Sequence, residues 1–138
     1  MLRFFVAAAL ASLAAGSGPA LGADAASCPP GTEEFAEYRL FFGRSQGAIE
    51  VVSEEAWRAF LADEVTPRFP AGLTVLDASG QWRDDSGEIV RERTKLLLVL
   101  APPGGDAMQR TDEIAEAYKL AFGQSSVLRA VTQACASF

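Results

Sequence analysis

The sequence contains no histidine at all among its 138 residues, and only two cysteines. Without histidine the chain lacks the commonest general base and the commonest side-chain metal ligand. Histidine-dependent catalytic triads, Cys/His zinc sites and histidine-ligated haem are therefore excluded within this chain, and we predict no metal site and no cofactor. Cationic charge is also scarce, since 12 basic residues face 18 acidic ones and the net charge is −6. Binding to a phosphate backbone needs a cationic patch, so nucleic acid is not an expected partner.

The composition, with 49% hydrophobic and 22% charged residues, is that of a globular protein, and 138 residues are enough for one domain. Residues 1–23 have the layout of a secretory signal: one arginine, an apolar run and then small residues. The run is too short to span a membrane, which takes about 20 apolar residues. We expect cleavage near Ala23 or Ala25, a polar leader at 24–37 and a single domain at 38–138. The mature protein is then periplasmic or extracellular.

The two cysteines, Cys28 and Cys135, lie near the two ends of the mature chain. In an oxidising compartment they are candidates for a disulfide. Small residues precede Cys28, so lipid attachment at this cysteine is an alternative, although Ala25 stands where such signals usually carry leucine. The domain is expected at a membrane only if Cys28 is lipidated.

Hydrophobic periodicity predicts an order of strand, helix, strand, strand, helix, strand. Ser53 is placed to cap the first helix, and Gly123 is placed to end the second. This order predicts an α+β fold of the ferredoxin-like βαββαβ type, with a four-stranded antiparallel sheet and both helices on one face. In that topology the first and last strands are neighbours, which brings Cys28 and Cys135 together. The predicted elements are strands at 38–43, 72–83, 88–100 and 126–138 and helices at 53–66 and 106–122.

The two middle strands meet at a turn predicted over Asp84–Gly87. A four-residue turn pairs Arg83 with Glu88 and sorts the side chains between two faces. A bulge at Ala78–Gly80 is an open alternative that would exchange the faces beyond it. The face expected beneath the helices carries Leu73, Val75, Asp77, Gln81, Val90, Glu92, Thr94, Leu96, Leu98 and Leu100. The face expected to stay open carries Leu76, Trp82, Ile89, Arg91, Arg93, Lys95, Leu97 and Val99, together with Phe41.

An open sheet face that is both apolar and basic usually meets a partner. We therefore interpret the protein as a non-catalytic binding or envelope-associated module that forms a homodimer through this face. A small apolar or anionic ligand is also possible there, and Arg68 is a separate candidate for holding an anion. The candidate binding residues are Trp82, Arg91, Arg93, Lys95 and Arg68.

The carboxylates near the hairpin tip suggest a different function. Asp77 and Glu92, if paired, would suit acid/base chemistry in a small enzyme without a cofactor, with Arg68 or Arg83 holding substrate charge. The simpler interpretation is a solvated hairpin tip. A third alternative is a structural lipoprotein anchored through Cys28.

Several stretches, above all "TPRFPAGLTV" and "GQWR", resemble the bacterial domain-of-unknown-function family 3574. The resemblance covers about residues 38–138 and implies a small exported single domain. It brings no known activity and no catalytic residues. At the level of the fold alone, the pattern is also similar to dimeric α+β barrel domains, which pair two ferredoxin-like sheets around a ligand cavity.

Overall fold

The computed structural model describes residues 28–138, so the predicted signal segment, with Ala23 and Ala25, lies outside the described part. The fold is α+β, with one four-stranded antiparallel sheet and two helices, as predicted. The structure has six strands where four were expected, because residues 44–52 include a small two-stranded ribbon. The elements are β1 (Glu33–Gly43), β2 (Ser45–Gln46), β3 (Ile49–Glu50), α1 (Glu54–Phe60), β4 (Thr74–Arg83), β5 (Ile89–Ala101), α2 (Ala107–Phe122) and β6 (Leu128–Ala136).

The strand order in the main sheet is β4-β5-β1-β6. The first and last long strands are antiparallel neighbours, and Glu34 pairs with Cys135 at their shared end. The sulfur atoms of Cys28 and Cys135 form a disulfide, with the two Cα atoms 5.5 Å apart. The predicted disulfide is therefore present, and it joins the segment that leads into β1 to the end of β6.

Helix α1 begins where its sequence predicts. The Ser53 hydroxyl accepts a hydrogen bond from the amide of Ala56, and two glutamates occupy the first turn, where the helix dipole favours negative charge. A π-helical turn over Leu61–Val65 extends the helix. Thr66 ends the π-helical turn, and Pro67, which has no amide to donate, follows it. The amides of Arg68 and Phe69 then donate to the Val65 carbonyl in a closing turn.

Helix α2 ends at Gly123, which has a positive φ of 63° and donates its amide to the Lys119 carbonyl. Within residues 28–138 no helix is long and apolar enough to cross a membrane.

The core lies between the two helices and one face of the sheet, and its centre is aromatic. Phe42 of β1 is fully buried, and its ring lies 5.2 Å from that of Trp57 and 4.8 Å from that of Tyr118. Phe60 packs against the same three rings. The Tyr118 hydroxyl donates a 2.8 Å hydrogen bond to the Gly43 carbonyl. This polar group therefore has a partner although its ring is buried in the cluster. Both helices are thus fixed against β1.

Candidate functional site

The turn between β4 and β5 sets which side chains share a face, and it is five residues long rather than four. The Asp84 carboxylate accepts hydrogen bonds from the amides of Ser86 and Glu88, and the Asp84 amide donates to the Glu88 carbonyl. Gly87 completes the turn with a φ of 90°. Arg83 therefore pairs with Ile89, and the predicted pairing of Arg83 with Glu88 is wrong by one residue.

A shift of one residue moves every side chain of one strand to the other face. Leu97 and Val99 of β5 are buried beneath the helices, although they were predicted on the open face. Pairing continues without a bulge through Ala78–Gly80, so no second exchange restores the predicted arrangement. The predicted side of the sheet is therefore wrong for two groups of β5 residues. Ile89, Arg91, Arg93 and Lys95 lie on the helix side rather than the open side, and Val90, Glu92, Thr94, Leu96, Leu98 and Leu100 lie on the open side rather than the helix side.

We call the side of the sheet away from the helices the open face. Leu96 lies at its centre, because it pairs with Phe41 of β1 on one side and with Leu76 of β4 on the other. Trp82 lies on the same face near the hairpin turn and is 50% exposed. The basic residues predicted here are absent, which makes the face more apolar than expected. Its larger apolar side chains are Phe35, Phe41, Leu76, Trp82, Val90, Leu96, Leu98, Leu100 and Leu128.

The helix side carries a network of ionised side chains around two buried cations, Arg44 and Lys95. The ammonium group of Lys95 lies 2.6 Å from the Asp77 carboxylate and 2.9 Å from that of Glu54. The Arg44 guanidinium bonds to the same Glu54 and to Glu50, and it also donates to the Val52 carbonyl. Each buried cation is thus matched by carboxylates, as burial of a charge requires.

The network shifts the pKa of Glu54, Asp77 and Lys95 toward the charged forms. The hydrogen bond from Lys95 holds the pKa of Glu54 and that of Asp77 below their ordinary values, against a smaller opposing effect of burial. Burial lowers the pKa of Lys95, but the hydrogen bonds and negative charges of the two carboxylates outweigh it and raise the pKa overall. Asp77 is therefore a charged partner of Lys95 at neutral pH rather than a raised-pKa base.

We expect Asp77 to titrate below its ordinary pKa of about 3.9. Because folding lowers this pKa, the stabilisation is fully present above the unfolded-state value and is lost as the pH falls through the folded-state value. Carbon-detected NMR titration of the Asp77 carboxyl group measures its pKa directly. In a Lys95→Met variant the pKa should return toward the ordinary value, whereas Lys119→Met, which removes a surface lysine paired with Glu116, should leave Asp77 unchanged. A raised pKa of Asp77 in the unmodified protein contradicts this assignment.

The structure does not bring Asp77 and Glu92 together. Asp77 pairs with Lys95 on the helix side, whereas Glu92 pairs with Gly80 and lies on the open side. The Glu92 carboxylate accepts a hydrogen bond from the Ser45 amide. It lies across Gly43, where any side chain would collide with it. The expectation that both carboxylates share a face is a consequence of the wrong register.

Arg68 and Arg83, the two arginines predicted to bind an anionic group, form hydrogen bonds to other residues of the domain. The Arg68 guanidinium bonds to the carboxylates of Glu64 and Glu113 and to the Glu64 carbonyl. The Arg83 guanidinium donates a hydrogen bond to the Gly87 carbonyl and so stabilises the turn.

Sequence reasoning missed Arg44, Glu50 and Glu54. Their pattern, one arginine directly after a strand with glutamates six and ten residues later, is too common to signal an ion network.

The chain belongs to the family described as "Protein of unknown function (DUF3574)", which matches residues 37–138. No curated protein matches the chain. Among solved structures, a phage SAM lyase in complex with S-methyl-5'-thioadenosine is similar, with a TM-score of 0.59 and 14% identity, over 83% of this chain and 95% of that one. A phage SAM lyase in the apo state is also similar, with a TM-score of 0.56 and 15% identity, over 76% of this chain and 92% of that one. At such low identity the likeness shows the fold alone.

Proposed function

We propose that this domain is a non-catalytic association module, a ferredoxin-like domain in which two copies pack their open faces against each other. The observation that carries the proposal is the apolar character of the open face. Leu76 is 46% exposed and Leu128 is 64% exposed, and between them lie the partly buried Leu96 and Phe41. Trp82, which is 50% exposed, lies farther along the same face, near the hairpin turn. An apolar row that crosses all four strands on the uncovered side of a sheet indicates a contact surface.

The size of the open face suits a dimer. Four strands spaced about 4.8 Å apart, with about ten residues each at about 3.3 Å per residue, span roughly 600 Å² before the side chains add relief. A standard interface buries about 800 Å² of accessible surface on each partner. One sheet face therefore provides about three quarters of the area that a standard interface needs, before side-chain relief is counted.

The charges favour a second copy of the chain over an anionic partner. With Arg91, Arg93 and Lys95 on the helix side, the basic side chain left on this face is Arg39, and it forms an ion pair with Glu37 beside it. Glu92 also lies on the open face, so the face carries no excess positive charge that would bind an anion. Two-fold symmetry would instead bring its apolar row against the same row of a second copy.

We expect the domain to be a dimer in solution and a Leu76→Asp variant to be a monomer. Leu76 is exposed in the single chain, so aspartate costs the fold little, but it places an unpaired charge in the dimer interface. Light scattering coupled to size exclusion measures the mass of each. The matched control is Leu120→Asp, because Leu120 is 85% exposed and lies on α2, on the other side of the sheet from the open face. A monomeric unmodified protein, or a dimer that Leu76→Asp leaves intact, contradicts the proposal.

The disulfide supports a site of action outside the cytoplasm, where such bridges persist. It also bears on the lipoprotein alternative, because the Cys28 sulfur cannot carry a disulfide and a lipid thioether at once. We therefore propose an exported domain that is not anchored through Cys28. Intact-mass analysis of the mature protein distinguishes the two states.

The enzyme alternative has weaker support. The similar lyase structures show that this fold occurs in enzymes. In this chain, however, the candidate base Asp77 is held charged by Lys95, Glu92 lies on the other face, and Arg68 and Arg83 are engaged within the domain. The titration of Asp77 described above tests this alternative, since a catalytic base there calls for a raised pKa.

A further inference from the structure

A cavity of about 430 Å³ lies on the β4–β5 hairpin, near its turn. Two neighbouring pairs of the ladder, Ser79 with Arg93 and Gln81 with Arg91, border it. These four residues alternate with Gly80 and Glu92, so their side chains leave the sheet on the same side, the helix side. The Gly80–Glu92 pair forms the floor, and because Gly80 has no side chain it adds only backbone to the lining.

All four bordering side chains are hydrogen-bond donors. Two guanidinium groups, one hydroxyl and one amide surround the floor, and the guanidinium geometry suits two oxygens of one carboxylate or phosphate group. Lys95, the next cation along β5, is already neutralised by Asp77 and Glu54. Arg91 and Arg93 are the cations that remain at the cavity.

The existing contacts leave this positive charge largely uncompensated. Arg93 lies 3.6 Å from Glu50, but Glu50 makes its closer contact of 2.9 Å to Arg44. The charge of Arg93 also helps to lower the pKa of Asp77, but Asp77 makes its contact of 2.6 Å to Lys95. Within residues 28–138 Arg91 forms no ion pair, and its side chain is exposed. On a chain of net charge −6, two adjacent guanidinium groups without a dedicated carboxylate have no evident structural purpose.

We propose that this cavity binds a small ligand through an oxyanion group, either a phosphate or a carboxylate. Arg91 and Arg93 hold the oxyanion from one strand, and Ser79 and Gln81 donate to it from the other. The site does not depend on dimerisation, because it lies on the opposite side of the sheet from the open face.

The test uses inorganic phosphate and succinate as separate probes, with sodium chloride at matched ionic strength as the blank. The readouts are calorimetry and the Nε–Hε NMR resonances of the arginines. We expect at least one probe to bind saturably at millimolar concentration and to shift the resonances of Arg91 and Arg93. Preference for phosphate identifies a phosphorylated ligand, and preference for succinate identifies a carboxylic acid.

An Arg91→Gln variant should weaken binding at least about tenfold, because it removes a charged donor and leaves the strand intact. The matched control is Arg58→Gln, which removes the same charge from a side chain that is 74% exposed on α1. Equal weakening by both variants overturns the proposal, since it would reflect net charge alone. No shift of the Arg91 and Arg93 resonances with either probe at tens of millimolar also overturns it. Monomeric and dimeric protein should give the same result.

Discussion

Removing the Cys28–Cys135 disulfide is expected to lower the free energy of unfolding by about 5 kcal/mol. The two cysteines are 107 residues apart. In the chain-entropy model a loop of that length gives a loss of about 4.8 kcal/mol, because the reduced unfolded chain regains the freedom that the bridge removes. The whole of β1, both helices and the hairpin lie inside the closed loop, so nearly the entire domain is affected.

Urea unfolding of the oxidised protein and of a Cys28→Ser, Cys135→Ser variant measures the difference. The midpoint should fall and the slope should rise, since an unbridged unfolded chain exposes more surface. Adding a reductant should change the unmodified protein and leave the double variant as it was. Equal midpoints for oxidised and reduced protein would show that the bridge constrains nothing in the unfolded state.

The element order could be predicted because it depends on local signals, and the disulfide could be predicted because the fold that this order indicates makes the first and last strands neighbours. Ser53 caps α1 through its own hydroxyl, and Gly123 ends α2 through its own backbone freedom. Once the order of elements is known, the antiparallel contact of β1 with β6 follows, and it places Cys28 beside Cys135. These inferences need no knowledge of side-chain packing.

The register of the β4–β5 hairpin could not be predicted in the same way. The sequence "DDSGE" allows a four-residue or a five-residue turn, and the choice depends on the hydrogen bonds that the Asp84 carboxylate makes to Ser86 and Glu88. Both faces of β5 are apolar along Leu96–Leu100, so hydrophobic alternation does not decide between the two registers. One hydrogen-bonded side chain thereby decides where three basic residues lie.

The correction changes the functional interpretation in a definite way. The sequence predicted one sheet face that is both apolar and basic. In the structure these residues are divided between the two faces of the sheet. Of the apolar residues, Phe41, Leu76 and Trp82 stay on the open face, where we propose dimerisation, whereas Ile89, Leu97 and Val99 lie on the helix side. The basic part also lies on the helix side, where Lys95 serves the ion network and Arg91 and Arg93 border the cavity. The two proposals can therefore fail separately, since Leu76→Asp and Arg91→Gln act on opposite sides of one sheet.

Phe42→Ala is expected to destabilise the domain by about 3–5 kcal/mol, the usual cost of truncating a buried phenylalanine. Phe42 is fully buried, and its ring contacts those of Trp57, Phe60 and Tyr118, so the substitution leaves a cavity where both helices meet the sheet. Urea unfolding followed by circular dichroism measures the loss. The matched control is Phe138→Ala, because that side chain is fully exposed and should cost at most about 0.5 kcal/mol. If the two variants lose the same stability, the aromatic cluster is not the centre that holds the helices to β1.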